Sequence, residues 1–464
     1  MIYFFTIVLA LASLMLGLYA ARQIKYNAEG YFIGGRQLNK WSVGISSGAT
    51  SNSGFVVVAA VGMGYSMGLS ALLYPLAWLF GDLIFWFFFA EKLNIVSRLR
   101  KSVTVPELLA EDMKSIRLFA GLIVFTLILV YASAQFLASS KALSSSFGIS
   151  AADGMYITFV AVIGYCIWGG FRSSVWTDLF QGIWMLILSV GIILWSLFQI
   201  GGISDFISGI QAVGDDYVDL TGGQTPLMLC LFFLGFAFAG FCFNASQPQM
   251  ATRIMAAANA AEVKKSRWIY ILFLQCVWSG MCVIGMLARV LIPDLQDGET
   301  ALPALASHLP HPILTGAVIA GILATIFSSL DSLLLSSASA LSLDFGIDSR
   351  MSRQQKSLWY RLSIVIVGLL ALYLGLFMET TVFQAVIFVI SILAASIGTA
   401  MIIVILKMPR TELSLFLSIL TGLVVALMWR VYGLESMIND GLVGAVAAFF
   451  ANSLVYYMSK RSGV

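Results

Sequence analysis

Long apolar segments constrain this chain more than any other feature of its sequence. An apolar run of about 18 residues or more is typical of a helix that crosses a membrane. We count thirteen such runs, at about residues 1–20, 41–66, 70–90, 117–140, 152–168, 178–199, 226–247, 267–291, 312–338, 358–378, 381–406, 412–431 and 440–458. Hydrophobic residues make up 60% of the chain and charged residues 11%, whereas soluble chains are nearer half and a quarter. The sequence therefore predicts an all-α polytopic membrane protein in which residues 1–464 form a single transmembrane domain.

The basic residues indicate which side of the membrane each loop faces, because Lys and Arg concentrate on cytoplasmic loops. With an external N-terminus, 23 of the 26 basic residues fall in predicted inside segments, the first of which is 21–40. The exceptions are Lys141, Arg289 and Arg430. We therefore expect an external N-terminus and a cytoplasmic C-terminus. The absence of long loops fits a bacterial inner membrane. The net charge of +3 follows from this topology and predicts no nucleic-acid partner.

The sequence lacks the signatures of nucleotide hydrolysis and of zinc proteases. It contains no Walker A loop and no HExxH. We therefore expect no enzyme activity and no organic cofactor. If the protein moves a solute uphill, an ion gradient must drive the movement.

Three carboxylates in the predicted spans are candidates for a functional site, because an ionisable residue inside a membrane is costly. Asp82, in the third span, could equally form a structural hydrogen bond to a neighbouring helix. Asp178 begins the sixth span and could simply cap it, because a carboxylate favours the positive end of the helix dipole. Asp331 lies inside the ninth span, away from both ends, so its position favours a functional role.

Hydroxyl side chains form a stripe on the ninth predicted span. At 100° per residue, six of them fall within a sector about 100° wide: Thr325, Ser328, Ser329, Ser332, Ser336 and Ser339. Close helix packing explains some of these small residues, but it does not explain Asp331 beside them. Oxygen ligands without thiolate or imidazole suit a hard cation, and a single carboxylate suits a monovalent one. The stripe therefore predicts a sodium site.

Two other spans carry interruptions. Residues 46–54 of the second span (SSGATSNSG) include no large apolar side chain, and residues 235–249 of the seventh end in Asn, Ser, Gln and Pro. Unwound helices at mid-membrane are tolerated where they line a cavity, and transporters use them to bind solute and ion. Their spacing predicts a five-plus-five inverted repeat. The first core repeat would be 41–199 and the second 226–406, with 1–20 and 412–458 as peripheral helices.

Five motifs occur in order along the chain. They are Gly34-Gly35-Arg36, residues 47–55 (SGATSNSGF), the GGF, WTD and Gln residues within 169–181, Gln247-Pro248 with Arg253, and residues 328–332 (SSLDS). Together they resemble the sodium/solute symporter family, particularly its sodium/proline branch. The resemblance covers most of the chain and includes the layout of thirteen helices. It implies a transporter with Na⁺ as coupling ion.

The resemblance also implies where sodium binds, between the broken second span and the ninth. The ligands would be the backbone carbonyls of Ala49, Asn52 and Thr325 and the hydroxyls of Ser328 and Ser329. Some members of the family hold a second sodium, which here would use Asp178, Ser328, Asp331 and Ser332. Asp331 could instead carry a proton, and the sequence leaves both possibilities open.

The solute would bind beside the two breaks. Tyr131 stands where the proline branch has a tyrosine that contacts the substrate. Where the branch has aromatic residues on its seventh span this chain has Gly240 and Asn244, and at the break Ser51 replaces Asp and Phe55 replaces Trp. The resemblance thus predicts a roomier pocket that is more polar on one wall. The predicted solute-binding residues are Ser51, Ser53, Phe55, Tyr131, Gln135, Gly240, Asn244 and Gln247.

The sequence as a whole predicts a sodium-coupled secondary symporter that imports a small organic solute by alternating access. An amino acid such as proline, or a small carboxylate, is the expected solute, and the lipid bilayer is the other partner. A proton-coupled carrier of the same fold is one alternative. A transporter-like solute sensor is another, which would need a partner protein because the chain ends at Val464. A channel is a third, distinguished by the lack of saturable uphill uptake.

Overall fold

A computed structural model describes residues 2–22 and 27–461, and all regular elements in these ranges are helices. Met1 of the first predicted span and Lys25 of the first predicted inside loop lie outside the described residues. Within these ranges, ten helical stretches are long and apolar enough to cross a membrane. The prediction of an all-α polytopic protein is therefore confirmed, while the count of thirteen spans stays a prediction.

The α-helices follow one another through short connections. Their bounds are α1 Ile2–Ala21, α2 Ala28–Phe32, α3 Lys40–Ser51, α4 Val61–Met67, α5 Leu73–Phe88, α6 Ala90–Arg100, α7 Val105–Ala110, α8 Lys114–Phe147, α9 Ala151–Ile200, α10 Ile203–Val213, α11 Asp215–Val218, α12 Pro226–Ser246, α13 Pro248–Met255, α14 Ala260–Leu291, α15 Ala301–Ser307, α16 Pro312–Ser339, α17 Arg353–Leu376, α18 Val382–Leu393, α19 Thr399–Ile405, α20 Glu412–Val431 and α21 Asp440–Arg461. Three π-helical turns interrupt this series, at Phe55–Ala60, Ala340–Asp344 and Ala394–Gly398. Short 3₁₀ turns lie at Gly68–Leu72, Gly298–Thr300, Ile347–Arg350 and Leu434–Ser436.

The longest helix, α9, bends at a glycine. Its 50 residues would extend roughly 75 Å at 1.5 Å per residue, more than twice the ~30 Å of a bilayer core. Gly170 breaks it with φ +50° and ψ −144°. A Cβ at Gly170 would lie 2.6 Å from the carbonyl oxygen of Tyr31, so both the dihedral and the contact require glycine there. The bend falls between the predicted spans 152–168 and 178–199.

The first predicted helix break is present but shorter than the sequence suggested. Helix α3 continues to Ser51, only Asn52 and Ser53 are non-helical, and the π-helical turn then leads into α4. Serine and threonine disturb a helix when they compete for its backbone groups. Ser46 and Thr50 instead donate their hydroxyls to Asp178 on α9, which leaves the α3 backbone intact.

The second predicted break is a single residue. Helix α12 ends at Ser246, Gln247 has extended backbone angles, and α13 begins at Pro248. Proline lacks the N–H that would continue the helix, and its ring clashes with the preceding turn, so the helix must restart there. α13 then packs against α3, α6 and α16 at the centre of the molecule.

The core surrounds the first break. α3 packs against α14, α9 and α16, while α16 is enclosed by α1, α8, α9 and α17. The residues of α16 from Thr315 to Ser339 are all buried, hydroxyls and Asp331 included. A helix that is buried on every side can carry polar groups only if they find partners inside the protein. α16 is therefore where the polar contacts of this fold must be sought.

A buried arginine fixes the loop before α3. Arg36 donates to the hydroxyl of Ser97 and to the carbonyls of Ser102 and Met255, and it pairs with Glu29. Burial lowers the pKa of its guanidinium from the usual value, although Glu29 opposes the shift. These contacts tie α6 and α13 to the start of α3, and so hold the broken helix in place.

Candidate functional site

Two serines of α16 meet the end of α3. The Ser328 hydroxyl donates to the carbonyl of Ala49 at 3.1 Å, and the Ser329 hydroxyl donates to the carbonyl of Thr50 at 2.9 Å. Both hydroxyls also lie close to the carbonyl of Thr325, at 3.1 and 3.4 Å. We call these five residues the ion seam. All of them are buried, and their oxygens form a compact set of hard ligands without sulfur or imidazole.

The structure thus brings together four of the five residues predicted for sodium and adds one. Thr50 was not predicted, because the family resemblance implied the carbonyls of Ala49 and Asn52 at this end of α3 instead. The fifth predicted residue, Asn52, lies one residue beyond the end of α3, and its N–H caps the helix by donating to Gly48. Both polar atoms of its side chain are buried and have no hydrogen-bond partner in the described part of the chain.

The predicted second ion site contains an arginine. Arg253 on α13 places its Nη2 2.6 Å from Oδ2 of Asp178 and 2.7 Å from Oγ of Ser332. The same oxygen of Asp178 accepts from Ser46 at 2.5 Å. The side chains of Asp178 and Arg253 are 0% and 1% exposed. A buried carboxylate is tolerated when a cation pairs with it, and Arg253 fills that role here.

Asp331 is held by hydroxyl groups. Its Oδ1 accepts from Ser174 at 2.8 Å and from Ser332 at 2.9 Å, and its Oδ2 accepts from the Tyr165 hydroxyl at 3.0 Å. We call Asp178, Arg253, Asp331, Ser174 and Ser332 the carboxylate cluster. It joins the ion seam through Thr50, whose hydroxyl lies 3.5 Å from both Asp178 Oδ2 and Ser332 Oγ.

Arg253 is the residue of the carboxylate cluster that the charge pattern of the sequence placed wrongly. It was counted among the basic residues of an inside loop, yet it is 0% exposed at the centre of the fold. The signal that could have located it is its position five residues after Pro248, on the short helix that follows the second break. A basic residue one turn beyond a mid-membrane break faces the protein interior, because α13 is itself buried.

On the other side of the break, α8 contacts the backbone directly. The Gln135 side chain accepts from the N–H of Gly54 at 2.8 Å, and the Tyr131 hydroxyl lies 3.1 Å from that of Ser53. A Cβ at Gly54 would lie 2.6 Å from Cβ of Ala138, so glycine permits this close approach. Three predicted solute residues, Ser53, Tyr131 and Gln135, are thus gathered at one point.

A small closed cavity lies next to this point. Ser51, Phe55, Trp78, Tyr131, Phe243 and Trp278 line it together with three aliphatic residues. Its volume is about 10 Å³, which is room for about one water molecule. In this conformation the cavity is closed to any organic solute.

The remaining predicted solute residues lie outside the lining of this cavity. Gly240 packs against Trp78. A Cβ at residue 240 would lie 2.8 Å from the backbone oxygen of Trp78, so Trp78 fills the space that a side chain at residue 240 would need. Asn244 donates to Oδ1 of Asp82 at 2.8 Å, and Gln247 accepts from Gln249 at 3.0 Å. Their part in binding a solute stays a prediction.

Two larger cavities have volumes of about 620 and 300 Å³. Both are lined by Ser66, Met67 and Tyr74. The smaller is also lined by Glu299 and Phe383, and the Phe383 ring stacks on Phe55 with centroids 5.8 Å apart. The stacked rings of Phe55 and Phe383 thus lie between the closed cavity, which Phe55 lines, and the smaller of these two, which Phe383 lines.

Ion pairs brace this aromatic contact. Lys141, near the end of α8, bonds to Asp297 at 2.9 Å and to Glu299 at 2.5 Å. Glu299 also accepts from the N–H of Phe383 at 3.3 Å. The charged groups thus connect α8, the turn before α15 and the start of α18 around Phe55.

Comparison with solved structures identifies the fold. The chain aligns with a substrate-bound, outward-open Na⁺-coupled sialic acid symporter at a TM-score of 0.86 and 20% identity, over 98% of each chain. It also aligns with a nucleobase-cation-symport-1 family transporter in a closed conformation, at a TM-score of 0.55 and 14% identity, over 92% of this chain and 94% of that one. The fold is therefore that of cation-coupled secondary transporters.

Comparison of sequences identifies the family within this class. The model of the sodium:solute symporter family matches residues 31–428, and the chain belongs to that family. It is 26% identical over 460 residues to the high-affinity proline transporter PutP of Bacillus subtilis, covering 96% of this chain and 95% of that protein. It is 27% identical over 479 residues to sodium/proline symporter 2 of Staphylococcus saprophyticus, covering 99% and 91%. The predicted resemblance is confirmed, and the chain is a sodium-coupled secondary transporter rather than an enzyme.

Proposed function

We propose that this protein imports a small organic solute, an amino acid such as proline or a small carboxylate, together with sodium that binds at the ion seam. The observation that carries this proposal is the pair of hydrogen bonds from Ser328 and Ser329 to the carbonyls at the end of α3. Those two serines lie 279 residues beyond their acceptors. A cation placed among the same oxygens would join α3 to α16.

Coupling would follow from the position of the break. Ala49 and Thr50 supply carbonyls to the ion seam, and Ser51 and Ser53 follow them directly on the solute side. Ordering the end of α3 by sodium would therefore also order the groups that face the solute. Such reciprocal coupling is typically about 1–3 kcal/mol.

Arg253 would act as the resident cation of the carboxylate cluster. With Asp178 and Asp331 both ionised and Arg253 charged, the cluster would carry one net negative charge beside the seam. That charge would favour a monovalent cation there. A second sodium at Asp178, Asp331 and Ser332 stays a prediction, supported by the buried Oδ1 of Asp178, which has no partner in residues 2–22 and 27–461.

Alternating access would require the aromatic and ionic contacts around Phe55 to open. In the orientation we predict, with the N-terminus outside and the C-terminus cytoplasmic, Lys141, Asp297 and Glu299 face the external side. Separation of the contacts around Phe55 would connect the two larger cavities to the closed one. Sodium release to the cytoplasm would be favoured by a negative interior potential, about 2.3 kcal/mol per charge per 100 mV.

The test is the thermal stability of the purified protein in detergent during titration with NaCl, compared with KCl and choline chloride. Sodium at 100 times its dissociation constant should stabilise the protein by about 2.7 kcal/mol. In Ser329→Ala we expect the half-saturating sodium concentration to rise tenfold or more, because a hydroxyl ligand is lost. Ser336→Ala is the matched control, since among the described residues its hydroxyl bonds only to the carbonyl of Ser332, in its own helix.

The outcome separates sodium coupling from the proton-coupled alternative. Equal stabilisation by sodium and potassium, or an unchanged sodium response in Ser329→Ala, would contradict the seam as the ion site. A protein whose stability and uptake respond to pH but not to sodium would be a proton-coupled carrier. A sensor would bind solute without accumulating it in proteoliposomes under a sodium gradient.

A further inference from the structure

Asp82 differs from the other buried aspartates of the molecule. Among the described residues, six aspartates are buried. Four of the other five form ion pairs, which are Asp178–Arg253, Asp344–Arg117, Asp348–Lys356 and Asp440–Arg430. Asp331 bonds to Ser332, whose hydroxyl oxygen also accepts from Arg253. Asp82 is 0% exposed in the middle of α5, and it has no ion pair within residues 2–22 and 27–461.

The described neighbours of the Asp82 carboxyl group are neutral donors. Its Oδ1 accepts from Nδ2 of Asn244 at 2.8 Å and from the hydroxyl of Tyr270 at 3.2 Å. Its Oδ2 is buried without a hydrogen-bond partner in the part of the chain that the structure describes. A carboxylate without a cation is costly to bury, and such a group takes up a proton rather than keep its charge.

Asn244 has an unpaired acceptor of its own. Its Nδ2 donates to the carbonyl of Gly240 at 3.1 Å as well as to Asp82, so both amide hydrogens are used. The carbonyl of Gly240 fixes the orientation of the amide, because an oxygen in the place of Nδ2 would be repelled by it. Oδ1 of Asn244 is then buried without a donor among the described residues. A protonated carboxyl group has one O–H to donate, which is the group that Asp82 and Asn244 lack.

In the described residues, the ionisable groups packed around α5 place no cation at Asp82. α5 packs against α6, α12, α14 and the 3₁₀ turn before it, and that turn has no ionisable residue. On α14, Tyr270 faces Asp82, whereas Arg267 pairs with Glu91 of α6 at 3.7 Å. On α12, the sulfur of Cys242 lies against the last π-helical turn. The ionisable group in contact with Asp82 is thus a tyrosine, which is ordinarily neutral at about pH 7.

Asp82 is linked to the break after α3. The Tyr270 hydroxyl that donates to Asp82 lies 3.4 Å from that of Ser51, the last residue of α3. The ring of Trp86, one turn along α5, packs on Tyr270 with centroids 4.7 Å apart. Side chains of α5, α12 and α14 therefore meet at Asp82, beside the end of α3.

We propose that Asp82 is a proton-binding site, separate from the ion seam and occupied in this conformation. The proton lies on Oδ2, where it donates to Oδ1 of Asn244, while Nδ2 of Asn244 donates to Oδ1 of Asp82. This acid–amide pair joins α5 to α12 with two hydrogen bonds and no net charge. It stabilises the closed arrangement around the end of α3, and the proton can leave only when water reaches Asp82.

The first experiment is infrared difference spectroscopy of the full chain in detergent at about pH 7, where an ordinary aspartate is ionised. We expect the band of a protonated carboxyl group in the wild type and its loss in Asp82→Asn. Asp440→Asn is the matched control, because Asp440 is also buried but pairs with Arg430 at 2.7 Å. The spectrum of this control should equal that of the wild type in the same region.

The second measurement is the pH dependence of unfolding. A carboxyl group that takes up a proton on folding makes stability fall as the pH rises. The ratio of folded to unfolded wild type, relative to that of Asp82→Asn, should therefore fall by up to about tenfold per pH unit. Asp82 acting as an ionised hydrogen-bond acceptor would give the opposite slope or none, and would overturn the proposal.

Tyr270→Phe covers the case in which Asp82→Asn does not fold. It keeps the carboxyl group and removes one donor to it, so the infrared band of the protonated carboxyl group should shift in frequency. A wild-type spectrum without a band that depends on Asp82 or on Tyr270 overturns the proposal.

The sodium titration of Asp82→Asn distinguishes a proton site from a cation site. Loss of the band with unchanged stabilisation by sodium supports a proton site separate from the ion seam. A sodium response that disappears in Asp82→Asn, without such a band in the wild type, would make Asp82 a sodium ligand and overturn the proposal. If sodium does not stabilise the wild type, the proposed function fails while the result for Asp82 stands.

Discussion

The two sides of the α3 break differ in how completely their polar groups are paired. On the ion seam, the hydroxyls of Ser328 and Ser329 each lie within hydrogen-bond distance of two carbonyls. In the closed cavity, the indoles of Trp78 and Trp278 have no acceptor in the described residues. A fully paired site can close without its ligand, whereas an unpaired one costs free energy until a ligand arrives. The comparison teaches that the seam hydroxyls are satisfied in this conformation, whereas the indoles of the closed cavity are not.

The largest expected effect tests the pairing beside the ion seam. Arg253→Ala would leave Asp178 and Asp331 buried without a cation, and breaking a buried ion pair costs about 3–5 kcal/mol. We expect a loss of stability of that size in thermal or denaturant unfolding in detergent. Lys265→Ala, at a side chain that is 61% exposed, is the control and should change stability by less than about 1 kcal/mol.

A second variant addresses the case in which Arg253→Ala does not fold. Arg253→Lys retains the charge but loses the several contacts that the guanidinium makes at once, so an intermediate loss is expected. A change below about 1 kcal/mol in both variants would contradict the pairing described here.

The second-largest expected effect is on solute affinity, through Tyr131 at the break after α3. Tyr131→Phe removes the hydroxyl that contacts Ser53 and leaves the ring in place. One hydrogen bond is worth about 1 kcal/mol, so solute affinity should fall about fivefold. The sodium titration of the same variant should be unchanged in the absence of solute. A large change in sodium affinity would mean that the two sides of the break are not separate sites.

The smallest expected effect is on the accessibility of the closed cavity, through the ion pairs of Lys141 with Asp297 and Glu299. Lys141→Ala removes ion pairs that are partly exposed, and such pairs contribute about 0.2–1 kcal/mol. We expect a modest rise in the accessibility of a cysteine introduced at Phe55, measured by reaction with a water-soluble maleimide. Raising the salt concentration should reduce the difference, because salt screens exposed charges. A difference that is independent of salt would exclude an electrostatic role for Lys141.

Part of the site was predictable because it depends on the types and spacing of side chains, which the sequence shows directly. The hydroxyl stripe on α16 follows from helical periodicity, and the hydroxyls of Ser328 and Ser329 indeed bond to the end of α3. The break at Pro248 follows from the chemistry of proline. Tyr131 and Gln135 were predicted by resemblance, and the structure places both against the break.

Other parts could not be predicted because they depend on distant segments. The resemblance placed carbonyl ligands at Ala49 and Asn52, whereas the carbonyl that meets Ser329 is that of Thr50, and only the helix packing selects it. Arg253 has the same charge in a loop or in the core, and only the packing of α13 against α3 and α16 decides which. The extent of the first break was overestimated, since the hydroxyls of Ser46 and Thr50 find Asp178 on another helix and leave their own helix intact.

By itself, the sequence determined that this chain crosses a membrane many times and that α16 presents oxygen ligands on one face. Those properties follow from local composition and from the 3.6-residue period of a helix. The tertiary structure alone decided that Arg253 neutralises Asp178 and that the indoles of Trp78 and Trp278 share one cavity wall. Such pairings join residues 75 and 200 positions apart, and only the packing of the helices sets the distances between them.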